Sequence, residues 1–143
     1  MKPIRVLLVE DNEGDIVLTR DAFEHGRFEY SIDVVRNGME AMEYLNSVGA
    51  HGDTKLPDLV ILDINLPKMN GQEVLHAIKH NDRLRQLPVV MFTTSSTDLD
   101  IIESYQNFAN CYVTKPFGTH DFEEAIHSIE DFWMSLVQLP NKG

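Results

Sequence analysis

The chain has 143 residues, of which 43% are hydrophobic and 24% charged, a composition that excludes a disordered chain and suits one folded domain. Its 23 acidic and 12 basic residues give a net charge of −11, which excludes direct nucleic-acid binding because phosphate contacts need a basic surface. The lone Cys111 excludes an internal disulfide and favours the cytoplasm, and the apolar run near Met1 is too short for a signal segment or a membrane span.

Five short runs of apolar residues predict the strands. Polar residues hardly alternate within these runs, which is typical of strands covered on both faces in a parallel sheet. In chain order the runs are Ile4–Val9, Tyr30–Val35, Leu59–Leu62, Val89–Phe92 and Cys111–Val113.

The segments between these runs carry apolar residues at helical spacing. The first, Asp15–His25, is followed by Gly26, which is expected to cap its C-terminus. Later helices are predicted from Met39, Met42, Tyr44 and Leu45; from Val74, Leu75 and Ile78; from Ile101, Ile102, Tyr105 and Phe108; and from Phe122, Ile126, Ile129, Trp133 and Leu136.

This alternation of strands and helices predicts an α/β fold with right-handed crossovers, a three-layer sandwich around a five-stranded parallel sheet. Residues 46–58, rich in glycine and small polar residues, are predicted to form a surface loop. The sequence predicts a single domain over residues 1–143 with an extended C-terminal helix and no output domain.

Polar side chains follow the strands at their carboxyl ends. In an open parallel sheet these ends form one edge, where ligands bind. The residues expected at that edge are Glu10, Asp11, Asp63, Thr93, Thr94 and Lys115.

The chemistry of this set points to phosphoryl transfer. Close carboxylates repel one another by up to ~4 kcal/mol per pair at an intermediate dielectric, and a divalent cation relieves that repulsion. Mg²⁺ suits oxygen ligands and keeps coordination positions open for a phosphoryl donor. Lys115 offers a fixed positive charge for phosphoryl oxygens and Thr93 a hydroxyl, so Asp63 can attack phosphorus and form an acyl phosphate.

Four segments, "VLLVEDN", "LVILDINLPKMNG", "PVVMFTTSS" and "CYVTKPF", together resemble the receiver domain of bacterial two-component response regulators. The resemblance covers residues 4–137. It implies a flavodoxin-like receiver fold with strand order 2-1-3-4-5. It also implies a signalling protein that is not an enzyme, since a receiver catalyses only its own phosphotransfer and dephosphorylation.

The resemblance implies a role for each matching residue. Asp63 resembles the phosphoacceptor, Thr93 the switch hydroxyl, and Tyr112 the rotating aromatic of the switch; a static core role for Tyr112 is equally compatible with the sequence. The implied Mg²⁺ site, with Mn²⁺ as an alternative, consists of Asp11, Asp63, the backbone carbonyl of Asn65, and Glu10 through a water.

A narrower resemblance is carried by "YQNFANCYVTKP" and by the tail that runs from "FW" to "LP". These segments are similar to the stand-alone receivers encoded with bacterial and cyanobacterial phytochrome histidine kinases. The implied upstream partner is therefore a sensor histidine kinase, of phytochrome type. Output would pass through a phosphorylation-dependent surface change, either by onward phosphotransfer or by binding a target protein.

The last helix has a second apolar set off its core stripe: Ala125, Phe132 and Leu139. A wide apolar helix surface indicates a partner. We expect a homodimer through the face of the fourth helix, fifth strand and fifth helix, with Phe132 and Trp133 near its centre. The alternative is that both rings close the bottom of the domain.

Other functions fit the sequence less well. A haloacid-dehalogenase-like phosphatase needs a second acid where Asn65 stands, and a flavodoxin-like cofactor binder would repel phosphate with its acidic "EDNEGD" loop. A degenerate receiver is disfavoured because every acceptor-site group is present. Glu73, His76 and His80 have metal-ligand spacing, yet solvated helix histidines are commoner than zinc sites. Cys111 is interpreted as a buried apolar residue.

Overall fold

The computed structural model describes residues 3–47, 55–136 and 138–139. In that part of the chain, five strands alternate with five α-helices, and a π-helical turn follows the last. The strands are β1 (Ile4–Val9), β2 (Tyr30–Val35), β3 (Leu59–Leu62), β4 (Val89–Thr93) and β5 (Cys111–Thr114). The helices are α1 (Glu13–Glu24), α2 (Gly38–Ser47), α3 (Gly71–Lys79), α4 (Asp98–Gln106), α5 (Thr119–Glu130) and the π-helical turn (Asp131–Leu136).

All five strands are parallel and form one sheet in the order β2-β1-β3-β4-β5. The predicted strands are confirmed, with β4 and β5 each one residue longer than the apolar run, and the flavodoxin-like order is confirmed as well. Of the predicted surface loop, residues 48–54 lie outside the described residues.

The central strands β1, β3 and β4 lie between two hydrophobic clusters. Leu7 and Val60 point to the cluster completed by α2 and α3, whereas Leu8 and Ile61 point to the cluster completed by α1 and α5. A residue near the middle of these strands meets a helical layer whichever way it points, so the strands are apolar except near their ends, at Arg5 and Thr93. The predicted three-layer sandwich is therefore confirmed. Among the described residues, none of the helices combines the length and the hydrophobicity that a membrane span needs.

Helix α1 begins earlier than the apolar spacing predicts and ends without a glycine cap. Its N-cap is Asn12, whose side chain accepts a hydrogen bond from the Asp15 amide, and its C-cap is His25. The prediction that Gly26 caps this helix is wrong. The absent side chain at Gly26 instead makes room for Glu130, because an added Cβ would lie 2.2 Å from Glu130 Oε2.

Helix α4 turns its apolar residues outward. The helix ends at Gln106, so the prediction that Phe108 belongs to it is wrong. Phe108 lies beyond the end of the helix with a φ of 67°, and it is 65% exposed. Ser104 is fully buried instead, and its Oγ accepts a hydrogen bond from Gln72 Nε2 of α3 at 3.0 Å. Polar contacts thus attach α4 to the domain, while Ile102 and Tyr105 remain about half exposed.

The C-terminal region is an α-helix that passes into a wider π-helical turn at Asp131. The predicted core stripe is confirmed at Phe122, Ile126, Ile129 and Trp133, all buried in the second cluster; its last member, Leu136, has a side chain outside the described part of the chain. The second apolar set is not one exposed surface, since Ala125 and Leu139 also pack against that cluster. Phe132 alone of that set is prominently exposed, at 50%.

Candidate functional site

Asp63 stands at the centre of the carboxyl edge of the sheet, directly after β3. Its amide donates a hydrogen bond to the Val9 carbonyl at 3.1 Å, which continues the pairing of β3 with β1. Its Oδ1 accepts hydrogen bonds from the amides of Ile64 at 2.7 Å and Asn65 at 3.4 Å. Asp63 is 7% exposed, and hydrogen bonds to both of its carboxylate oxygens orient the side chain.

Lys115 is the cation of the site and follows β5. Its amide donates to the Thr93 carbonyl at 2.7 Å, which extends the pairing of β5 with β4 and fixes the lysine backbone. Its Nζ donates to Glu10 Oε1 at 2.5 Å, to Asp15 Oδ2 at 2.8 Å and to Asp63 Oδ2 at 2.9 Å. The lysine is 4% exposed, so these charges interact with little screening by water.

Burial and neighbouring charge shift the pKa values of Glu10 and Lys115. Burial, followed by the nearby charge of Asp63, raises the pKa of Glu10 to about 7. Burial acts to lower the pKa of Lys115, but hydrogen bonds to Asp15 and Glu10 outweigh it and raise that pKa above its ordinary value. The lysine therefore stays charged and leaves surplus negative charge for a further cation to neutralise.

The acidic side chains also fit a divalent cation. Glu10, Asp11 and Asp63 each offer a carboxylate oxygen, and these oxygens all lie within 4.8 Å of one another. Asp11 is exposed, and Asn65 lines the same cleft as Asp11. Carboxylates and carbonyls are the hard oxygen donors that Mg²⁺ and Mn²⁺ prefer, so the predicted donor set fits such an ion.

Thr93 and Tyr112 both contact Ser95 in the loop after β4. Thr93 is fully buried, and its Oγ1 accepts a hydrogen bond from the Ser95 amide at 3.4 Å. The Tyr112 hydroxyl donates to the Ser95 carbonyl at 2.7 Å. The two predicted switch residues are thus joined through one loop residue, while movement of Tyr112 stays a prediction.

Two residues of the site were given no role by the sequence interpretation. Asp15 contacts Lys115 from the first turn of α1; the available signal was an acidic residue at the start of the predicted first helix, four residues after Asp11. Gly71 approaches the acceptor so closely that an added Cβ would lie 2.0 Å from the Asp63 carbonyl oxygen. The only feature of the sequence that could have indicated this role is a glycine directly after the turn "LPKMN".

The other residues considered as ligands lie away from this edge. The rings of His76 and His80 stack with centroids 3.9 Å apart, and His80 Nδ1 lies 2.8 Å from the His76 carbonyl oxygen. Parallel stacked rings do not converge on one metal ion. Cys111 is partly buried and packs against the second cluster, in keeping with an apolar role.

Comparison with known families decides to which family the chain belongs. The model of the response regulator receiver domain matches residues 6–127. The chain belongs to the response regulator receiver family.

Within the receiver family, the chain is similar over nearly its whole length to two regulatory proteins. It is 38% identical over 138 residues to response regulator Rcp1 of Synechocystis sp., covering 96% of this chain and 94% of Rcp1. It is also 39% identical over 138 residues to the probable methanogenesis regulatory protein FilR2 of Methanothrix harundinacea, covering 96% and 88% of the two chains.

Solved receiver structures agree with the fold over nearly the whole chain. The phosphorylated cyanobacterial phytochrome response regulator RcpA has a TM-score of 0.92 at 40% identity, covering 98% of this chain and 100% of RcpA. The Mn²⁺-bound form of Rcp1 has a TM-score of 0.90 at 38% identity, covering 97% and 100%. The resemblance to phytochrome response regulators is thereby confirmed, and the acidic cluster of this receiver indicates divalent-cation binding.

Proposed function

We propose that this receiver accepts a phosphoryl group from a sensor histidine kinase onto Asp63. The supporting observation is the placement of Asp63, which has one oxygen 2.9 Å from Lys115 Nζ and a ligand oxygen within 4.8 Å of those of Glu10 and Asp11. A cation and a metal-binding acidic pair around one carboxylate suit a transferred phosphoryl group better than any other ligand chemistry.

In the proposed reaction, a carboxylate oxygen of Asp63 attacks phosphorus and a new phosphorus–oxygen bond forms. The bond from phosphorus to the donor breaks, and its electron pair leaves with the kinase histidine nitrogen or, for acetyl phosphate, with acetate. Lys115 neutralises charge on the phosphoryl oxygens, and the Thr93 hydroxyl donates to one of them. Because Asp63 attacks as an ionised carboxylate, no general base is required.

The proposed metal is Mg²⁺, with Mn²⁺ as a substitute. Asp11 and Asp63 would bind it directly, Asn65 through its backbone carbonyl, and Glu10 through a water. When bound, the ion supplies further charge neutralisation for the phosphoryl group.

The proposed output is a population shift of the loop after β4. Thr93 reaches the phosphoryl group from the same segment that holds Ser95, and Ser95 accepts the Tyr112 hydrogen bond. A change at Thr93 therefore alters the surroundings of Tyr112 and the attachment of α4. The altered surface would serve a target protein or onward phosphotransfer.

The proposed kinase is of phytochrome type, because Rcp1 and RcpA are similar over nearly the whole chain and RcpA is a phytochrome response regulator. Transfer from purified kinases tests this choice. A phytochrome-type kinase is expected to transfer phosphate faster than an unrelated sensor kinase, and equal rates would contradict it.

Asp63→Asn is expected to abolish phosphorylation. Incubation of the native chain with acetyl phosphate and Mg²⁺ should add the mass of one phosphoryl group, whereas the variant lacks the attacking carboxylate and should gain nothing. Intact mass spectrometry measures both. Asp58→Asn serves as a control, since Asp58 lies before β3 and binds the Arg5 amide instead. A variant at position 63 that still gained phosphate would contradict the proposal.

We further propose a homodimer through the face formed by α4, β5 and α5, with Phe132 of the π-helical turn that follows α5 as its main contact. Trp133 is only 7% exposed, and its ring meets Phe132 edge-on with centroids 5.4 Å apart. Trp133 would therefore support the interface from the core, while Phe132 supplies the exposed area.

Phe132→Ala is expected to raise the dimer dissociation constant by about tenfold or more, because an aromatic anchor of an interface contributes upwards of about 1.4 kcal/mol. Sedimentation velocity over a concentration series measures the change. Val17→Ala, a truncation of an equally exposed residue of α1, should leave the constant unchanged. An unchanged constant for Phe132→Ala would remove Phe132 from the interface.

A further inference from the structure

Every hydrogen of the Lys115 ammonium group is engaged by a carboxylate. A lysine ammonium has three N–H donors, and Lys115 directs them to Glu10 at the end of β1, Asp15 in α1 and Asp63 after β3. The unphosphorylated site is therefore closed to a new acceptor at this lysine. A phosphoryl group can receive a hydrogen bond from Lys115 only if one existing bond is released.

The three carboxylates differ in how readily they can leave. The Glu10 side chain is 3% exposed, and its second oxygen accepts a hydrogen bond from the Asn12 amide. The Asp63 side chain is 8% exposed and is itself the group to be phosphorylated. The Asp15 side chain is 24% exposed and can turn to water without leaving a buried charge unpaired.

We propose that Asp15 is a positioning residue that restrains phosphorylation by holding Lys115 until a phosphoryl group arrives. The inference rests on the proposed function of Asp63. In the resting state the Asp15 carboxylate occupies one lysine donor and adds negative charge at the entrance of the site. When the new phosphorus–oxygen bond forms at Asp63 and the acetate of acetyl phosphate leaves with its electron pair, Lys115 exchanges Asp15 for a phosphoryl oxygen.

Asp15 is well suited to a test by substitution, because its backbone and side chain have separate roles. The backbone amide donates to Asn12 Oδ1 at 2.9 Å and so forms the N-cap of α1. The carboxylate takes no part in that cap. Asp15→Asn therefore removes the charge that contacts Lys115 and leaves the cap in place.

A matched control lies two residues away. Glu13 occupies the same first turn of α1, but its carboxylate pairs with Arg36 and not with Lys115. Glu13→Gln changes the net charge, and the charge at the N-terminus of α1, by the same amount as Asp15→Asn. It thus separates the specific contact with Lys115 from general electrostatics of the helix.

The experiment measures initial phosphorylation rates by intact mass with acetyl phosphate and Mg²⁺. Asp15→Asn is expected to react about fivefold faster than the native chain, the order expected for removing one close charge from a partly exposed site. Glu13→Gln should stay within about twofold of the native rate. Asp15→Glu, which restores a carboxylate, should return the rate toward the native value.

A purely structural role for Asp15 would have the opposite sign, since loosening α1 would slow the reaction and lower the melting temperature. Equal or slower phosphorylation of Asp15→Asn, or an acceleration matched by Glu13→Gln, would overturn the inference. Asp15→Ser provides a second variant that lacks the carboxylate and must show the same acceleration. If the native chain gained no phosphoryl mass at all, the proposed function itself would have failed.

Discussion

Gly71→Ala is expected to destabilise the protein by about 3 to 5 kcal/mol, the range of the most damaging single substitutions. The added Cβ would lie 2.0 Å from the Asp63 carbonyl oxygen and 2.7 Å from the Ile64 Cα. Both are backbone atoms of the segment that carries the acceptor, so no side-chain rotation can relieve the overlap. The Gly71 amide would also be pushed from the Ile64 carbonyl, to which it donates at 2.8 Å.

Urea unfolding measures this loss, with Gly14→Ala as the matched control. The nearest atom to a Cβ at Gly14 is Asn12 Oδ1 at 3.4 Å, an ordinary contact, and Gly14 lies within α1. Alanine there should keep or raise stability by up to about 1 kcal/mol, because it favours the helix. If both variants unfolded at the same urea concentration, close packing against the acceptor segment would not be the reason that position 71 needs a glycine.

The second large effect is expected for Lys115→Met, which should destabilise the metal-free protein by about 3 kcal/mol at pH 8. The substitution keeps an apolar stem but removes the cation that pairs with Glu10 and Asp63. Two buried carboxylates would then face each other without a counter-charge. Removing one partner of a buried ion pair destabilises a protein by more than the intact pair stabilises it. The remaining charge is left buried without its partner and without the water that surrounds it in the unfolded chain.

The same variant should show a distinct dependence on pH. The pKa of Glu10 is already raised to about 7, and loss of the lysine raises that pKa further. A carboxyl group whose pKa is raised by folding stabilises the protein below its unfolded pKa, and this stabilisation is lost as pH rises through the folded pKa. The destabilisation by Lys115→Met should therefore be smaller at pH 5 than at pH 8.

Urea unfolding at both pH values, with a chelator present, tests the dependence. Lys79→Met is the control, because Lys79 is partly buried but donates to the carbonyls of Arg85 and Leu87, which do not titrate. Its effect should be the same at pH 5 and pH 8. Added Mg²⁺ should return part of the stability lost by Lys115→Met, since ligand binding favours the folded state. An effect of Lys115→Met that did not change with pH would contradict the electrostatic account of the site.

The strands and the main site residues follow from the sequence for a simple physical reason. A central strand of a sheet covered on both faces must be apolar throughout, so β3 is visible as an uninterrupted run. Polar residues can then appear only where such a strand leaves the core. Parallel strands leave the core at the same edge, and this places Asp63 beside Thr93 and Lys115 before any coordinates are known.

The sequence did not predict which face of a helix points inward, or which segments approach each other closely. Apolar spacing correctly predicted that α4 is a helix, but it does not reveal that Ser104 faces inward and Ile102 outward, since that depends on the Gln72 side chain of α3. Likewise, position 26 needs a glycine because the Glu130 side chain fills the adjacent space, and Glu130 lies more than a hundred residues later.

Sequence alone thus determined the fold class, the order of elements and the chemical character of the site, because these depend on local periodicity and on the strand ends. Only the tertiary structure decided that Asp15 shares Lys115 with the acceptor, that Gly71 must lack a side chain, and that Trp133 is buried while Phe132 is exposed. Those features depend on distances between segments far apart in the chain. Such distances are set by how whole elements pack, and no pattern within one segment records them.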